Sequence, residues 1–252
     1  MHLTSKEAVR LCEGMINNIL PNKDVEIVVC PSFTLLWPTQ QTIGKSSMRL
    51  GAQNCFWKEE GAFTGEISPK MLLDSGVQYC IVGHSETRGR FGKLDIPEST
   101  TSYFSESDET ISLKIKSLFD HYIYPILCVG ETIDERKAGK TDEVIENQIK
   151  QALAHAPESE LNDLVIAYEP VWAIGTGETC EPEEAERVCA FIRKSVAKFA
   201  NDDAAAHIRI LYGGSVKPEN SKKIFEQPNI DGGLVGGASL NAKDFADIAT
   251  NL

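Results

Sequence analysis

Long apolar runs, paired cysteines and positive charge are all scarce in this chain of 252 residues. No apolar stretch approaches the roughly 18 residues of a membrane-spanning helix, so no membrane partner is expected. Seven cysteines, Cys12, Cys30, Cys55, Cys80, Cys128, Cys180 and Cys189, stand singly with no C-x-x-C pair among them. That fits reduced thiols better than disulfides or zinc. The five histidines, His2, His84, His121, His155 and His207, show no ligand spacing with one another or with the cysteines, so no metal site is expected. Lys plus Arg number 25 against 37 Asp plus Glu, a formal net charge of −12, which argues against a nucleic-acid partner because that wants a basic face. No dinucleotide-binding glycine fingerprint follows an early strand, and no cofactor is implied. Met1-His2-Leu3-Thr4 carries neither the charged nor the apolar region of a secretory signal, so a cytoplasmic location is expected.

Short apolar runs alternating with helical patterns are what the chain does have. Thr4-Ser5-Lys6-Glu7 reads as a capping box, and Val9, Cys12, Ile16 and Ile19 follow at helical spacing until Pro21-Asn22 ends the helix. Strands are expected at Val25–Cys30, Arg49–Ala52, Tyr79–Val82, Tyr124–Val129, Leu164–Tyr168, Ile208–Tyr212 and Gly232–Val235, with helices between them. Residues 93–105 are rich in Ser, Thr and Glu, show no periodicity and read as an inserted loop, which is entropically cheap. Residues 131–156 read as one or two charged helices on a solvated outer face. Strict alternation of short strands and helices implies parallel pairing. At this length it implies a single barrel-type α/β domain spanning 1–252, since an eight-unit barrel takes about 250 residues.

The chemistry gathers at the ends of the expected strands. Ala167-Tyr168-Glu169-Pro170-Val171-Trp172-Ala173-Ile174-Gly175-Thr176-Gly177 places a carboxylate where a strand stops, and Pro170 ends any ladder. The apolar segment beyond it has two readings. It is either a lid that closes over Glu169 and expels water, or a turn whose Trp172 packs on a neighbour. His84 follows another strand end. A lone histidine is more often structural, but a His and a Glu past strand ends share the face on which barrel active sites form. Gly213-Gly214-Ser215 and Gly236-Gly237-Ala238 each follow a strand, where backbone N–H groups can approach an anion. A single Gly-Gly is equally well a tight turn. Two pairs after the last two strands match the usual barrel phosphate position.

Four segments together resemble the triosephosphate isomerase family: Ala167 to Gly177, Val82-Gly83-His84-Ser85-Glu86, Leu211-Tyr212-Gly213-Gly214-Ser215 and Leu234-Val235-Gly236-Gly237-Ala238-Ser239. They come in that family's order and near its spacing, and the likeness runs from Met1 to Leu252. The resemblance implies a (β/α)8 TIM barrel that interconverts dihydroxyacetone phosphate and D-glyceraldehyde 3-phosphate without a cofactor. It implies Glu169 as the base and a neutral His84 as the electrophile; the family resembled is itself the usual illustration of that pairing beneath a closing loop. It further implies that Gly175, Ser215, Gly236 and Gly237 hold the phosphate. The loop Gly61-Ala62-Phe63-Thr64-Gly65-Glu66, by itself an ordinary surface loop, becomes by resemblance the contact of a homodimer. A different phosphosugar-binding barrel enzyme, or a barrel without activity, are the competing readings.

The chain also departs from the family pattern. The family opens with a strand carrying Asn-x-Lys, and this chain begins just after it, so the chain as written is expected to be poorly soluble and weakly active. Glu178 stands where Lys is usual and Cys180 where Ala is usual, which bears on lid motion. The insertion at 93–105 has no counterpart in the pattern.

Overall fold

The computed structural model describes residues 1–20, 22–93 and 95–252. Seven strands form one sheet: β1 (Val28–Val29), β2 (Arg49–Ala52), β3 (Tyr79–Val82), β4 (Tyr124–Val129), β5 (Val165–Tyr168), β6 (Arg209–Tyr212) and β7 (Gly232–Gly233). They pair in chain order and all in parallel, with Tyr79 opposite Tyr124 and Val129 opposite Tyr168. Every residue of β3 and β5 is buried, as expected where a parallel sheet is covered on both faces.

Side-chain alternation along the strands separates two apolar cores. Tyr79, Ile81, Ile126, Cys128, Val165 and Ala167 meet on the inner face of the curled sheet, joined by Val28, Cys30 and Leu211. Their neighbours Cys80, Val82, Leu127, Val129, Ile166 and Tyr168 face the surrounding helices. This inside–outside division is that of a (β/α)8-type barrel. The barrel floor is polar: the Glu26 carboxylate accepts from Tyr79 Oη at 2.7 Å and from Arg209 at 2.5 Å.

The helices follow the strands as expected. α1 (Ser5–Asn18) opens on the Thr4–Glu7 capping box, with the Thr4 N–H donating to the Glu7 carboxylate at 2.7 Å. α2 (Leu36–Ile43), α3 (Pro69–Asp74) and α4 (Asp108–Phe119) follow β1, β2 and β3. α5 (Ile133–Lys137) and α6 (Thr141–Ala152) follow β4, and α7 (Pro182–Phe199) and α8 (Asp202–His207) follow β5. α9 (Pro218–Phe225) and α10 (Ala242–Thr250) close the chain.

Several expectations need correction. Val25–Cys30 contracts to the two residues of β1, and Gly232–Val235 to the two of β7. Each pairs on one side alone among the described residues, so a single ladder holds it. Pro21, expected to end the first helix, lies outside the described residues, and α1 stops at Asn18. The 93–105 loop, of which Leu94 is not described, contains a 3-10 helix at Glu98–Tyr103. Residues 131–156 are not simply a solvated face: Glu131 is fully buried, and Ile145, Gln148 and Ile149 of α6 face the core.

Candidate active site

Because all seven strands run in parallel, the loops after β3, β4, β5, β6 and β7 emerge on one side of the sheet. A cavity of about 1390 Å3 runs along the inner face of the sheet to that side, and His84, Glu169, Gly175, Ser215, Gly236 and Gly237 all line it. Every site residue expected from the sequence is thus brought to one cavity.

Glu169, one residue past β5, is 1% exposed. Its backbone N–H continues the ladder to the Val129 carbonyl at 2.8 Å. Its carboxylate accepts from the Ser85 N–H at 2.9 Å and the Ser85 hydroxyl at 3.3 Å. His84 Nε2 lies 2.9 Å from Oε1 of the same carboxylate, the oxygen that also accepts from the Ser85 hydroxyl. The Glu86 N–H donates to His84 Nδ1 at 3.3 Å, so the neutral ring carries its proton on Nε2, aimed at Glu169. Burial opposes charge on this ring, yet the hydrogen bond and negative charge of Glu169 outweigh it, and the His84 pKa lies above its ordinary value. The chief cause of that direction is the carboxylate resting against the ring, with Glu86 and Glu106 adding to it.

The segment after Glu169 is buried at its start and exposed further on. Val171–Ala173 form a buried 3-10 turn, whereas Gly175 to Glu178 are exposed. Gly175 and Gly177 hold φ of 69° and 87°, a left-handed conformation that glycine adopts without penalty. Trp172 packs as the turn reading required: its indole N–H donates to Glu131 at 2.8 Å and the Arg136 guanidinium lies 4.2 Å above its ring. Tyr168 Oη donates to both oxygens of Glu131 at 3.2 Å. Burial pushes the Glu131 carboxyl above its usual range, against these donors.

Glu131, the buried carboxylate that anchors Trp172, is a residue that sequence reasoning missed. Its signal was available, since Gly130-Glu131 follows the end of β4 as His84 follows β3 and Glu169 follows β5. At the far hinge the Glu178 N–H donates to Thr176 Oγ1 at 3.2 Å, while Cys180 is buried and burial pushes its thiol up to about 12.

No internal acceptor among the described residues takes the N–H groups of Gly175, Ser215, Gly236 or Gly237. A side chain at Gly175, Gly236 or Gly237 would meet open space. Among the described residues no group of His, Cys, Asp and Glu is arranged to hold a metal ion, and no helix is long and apolar enough to cross a membrane.

Parallel strands curled around a cavity, with a carboxylate–imidazole pair at their C-terminal ends, define a barrel built for acid–base chemistry. A family model described as triosephosphate isomerase matches residues 1–252. The triosephosphate isomerase of Carboxydothermus hydrogenoformans is 46% identical over 248 residues, covering 98% of this chain and 94% of that protein. That of Geobacter metallireducens is 48% identical over 244 residues, covering 97% and 92%, and that of Clostridium tetani 45% over 248, covering 98% and 92%. The chain belongs to the triosephosphate isomerase family.

Proposed function

We infer that the chain interconverts dihydroxyacetone phosphate and D-glyceraldehyde 3-phosphate, with Glu169 as the base and His84 as the proton shuttle. The observation that carries this is the placement of both side chains, 2.9 Å apart, on the wall of the cavity that the four free N–H groups also line. Glu169 leaves Ser85, takes a proton from the substrate carbon beside the carbonyl and returns it to the neighbouring carbon. His84 Nε2–H donates to the carbonyl oxygen as the enediolate forms, and the ring then takes a proton from the adjacent hydroxyl. Departure of Glu169 toward substrate removes the main interaction that raises the His84 pKa, which favours the neutral, donating ring.

The N–H groups of Gly175, Ser215, Gly236 and Gly237 hold the phosphate, and the lid from Pro170 to Gly177 shields the enediolate from water. The enzyme is a single domain of the cytoplasm and forms a homodimer through the loop at 61–66. Family membership disfavours a different phosphosugar-binding barrel.

Glu169→Gln tests the assignment. The expected loss in kcat is about 10²–10⁴-fold with a modest change in KM. Near-normal turnover of glyceraldehyde 3-phosphate in that variant removes Glu169 from the reaction.

A further inference from the structure

The extended loop between β3 and α4, which includes residues 93–105, has no part in the chemistry above, yet it lies against the lid. A Cβ built on Gly92 would stand 2.3 Å from the carbonyl oxygens of both Val171 and Ile174, and 3.2 Å from Thr176 Cγ2. The φ of Gly92 lies outside the left-handed region, so its conformation does not demand glycine. What demands it is the close approach of the lid backbone, which neither carbonyl can relieve by a side-chain rotation.

The segment that carries Gly92 is fixed on its other sides. The Arg90 N–H donates to the Ser85 carbonyl at 2.9 Å, and its guanidinium to the Gly130 carbonyl at 3.1 Å and to Glu135. The Phe104 ring meets Phe91 edge-on with centroids 5.6 Å apart. The Glu106 N–H donates to the Thr87 carbonyl at 3.0 Å. Thus Phe104 of the insertion, with Glu106 just beyond it, clasps residues 87–91 and holds Gly92 against the segment from Val171 to Thr176.

We propose that Gly92 is a positioning residue, the seat on which the first turn of the lid rests, and that Phe104, near the end of the insertion, keeps this seat in place. This rests on the reading of Pro170 to Gly177 as the lid of a phosphate site. Gly175, which contributes an N–H to that site, directly follows Ile174, one of the two carbonyls on the seat. A displacement of the seat is therefore passed to the phosphate contact within one residue, and misplacement by about 1 Å costs on the order of 10²-fold in a preorganised site.

The test compares the full chain with its Gly92→Ala and Phe104→Ala variants, each labelled with 5-fluorotryptophan. The three tryptophans give separate 19F resonances, and that of Trp172 is assigned by its loss in Trp172→Phe. In Gly92→Ala the Trp172 resonance shifts while those of Trp37 and Trp57 do not. Binding of 2-phosphoglycolate, followed by calorimetry, weakens about tenfold or more. Phe104→Ala moves both readouts in the same direction by less, and it decides the matter if Gly92→Ala does not fold. A general loss of stability would lower the melting temperature without singling out the Trp172 resonance. An unmoved Trp172 resonance in the folded variants overturns the proposal, whether or not ligand is present. Unchanged 2-phosphoglycolate binding in Gly92→Ala overturns it while leaving the isomerase reading intact. Failure of the parent chain to bind 2-phosphoglycolate instead counts against the phosphate site, and the resonance comparison still decides the role of Gly92.

Discussion

Ser85 grips the carboxylate of Glu169 from both its backbone and its side chain, with the N–H 2.9 Å from one oxygen and the hydroxyl 3.3 Å from the other. Both residues are buried, at 4% and 1% exposure. A base held this way is stored rather than engaged, because the contact must break before the carboxylate reaches a substrate carbon. Ser85→Ala keeps the N–H and removes the longer hydrogen bond. The expected cost is about 1.5 kcal/mol of stability in urea unfolding, the low end for a hydrogen bond to a charged group because the contact is long. The change in kcat is expected to stay under about tenfold, since the contact is absent from the transition state. A loss as large as that of Glu169→Gln would place Ser85 in the chemistry itself.

The His84–Glu169 contact makes a prediction in pH. Burial opposes the shift, but the folded pKa of His84 is raised, chiefly by Glu169 with smaller contributions from Glu86 and Glu106. Protonated His84 therefore favours the folded chain below the unfolded value of about 6.5, and this contribution is lost as pH rises through the higher folded value. On the acid side, kcat/KM should fall at a pH above that of an ordinary histidine, because the charged ring retains the base. NMR titration of the His84 ring should show its midpoint moving down in Glu169→Gln. A midpoint unmoved by that substitution would mean that Glu169 does not set it.

The central strands were legible because their signals are local. Arg49–Ala52, Tyr79–Val82 and Tyr124–Val129 are observed with the bounds read from their apolar runs. β1 and β7 came out shorter than their apolar runs suggested, because strand length is set by partners, and each has a ladder on one side alone. The candidate site residues were readable for a related reason: in a parallel barrel the loops after the strands gather on one face. Glu131 also follows a strand end, yet it lies against Tyr168 and Trp172 rather than on the cavity wall, and it was passed over. The charged residues after it in α5 suggested solvent, and the burial that sets its role comes from Tyr168 and Trp172, distant in sequence. The approach of Gly92 to the lid carbonyls left no trace in the sequence at all, since it is a property of two backbones brought together by the fold.

Trp172 joins the lid to Glu131, and its removal has a predictable cost. Trp172→Phe deletes an N–H that donates to a fully buried carboxylate at 2.8 Å, with Tyr168 and Arg136 left as partners. Loss of a hydrogen bond to a charged group costs about 1.5–3 kcal/mol. The variant is expected to unfold at lower urea with an unchanged slope. It should also release more inorganic phosphate per isomerisation, because a loosened lid protects the enediolate less well. Parent-like phosphate release would show that the anchor serves the fold alone.

The loop at 61–66 carries the last prediction. All six of its residues are exposed, and Phe63 is 42% exposed despite its size. The loop is nonetheless ordered from within. The Phe63 N–H reaches the Gly61 carbonyl at 3.0 Å, the Glu66 N–H reaches the Phe63 carbonyl at 3.0 Å, and the Phe63 ring lies on Phe56 with centroids 4.7 Å apart. A rigid, protruding loop tipped by an aromatic residue has little ordering entropy left to lose on association, which favours a partner. A second copy of the chain would meet it through a twofold axis, each loop entering the other subunit. Light scattering should then give about twice the 27.7 kDa of one chain. Phe63→Glu should return the mass to that of a monomer, by burying an unpaired charge at the contact. A parent chain that remains monomeric at micromolar concentration would rule out this loop as a self-association surface.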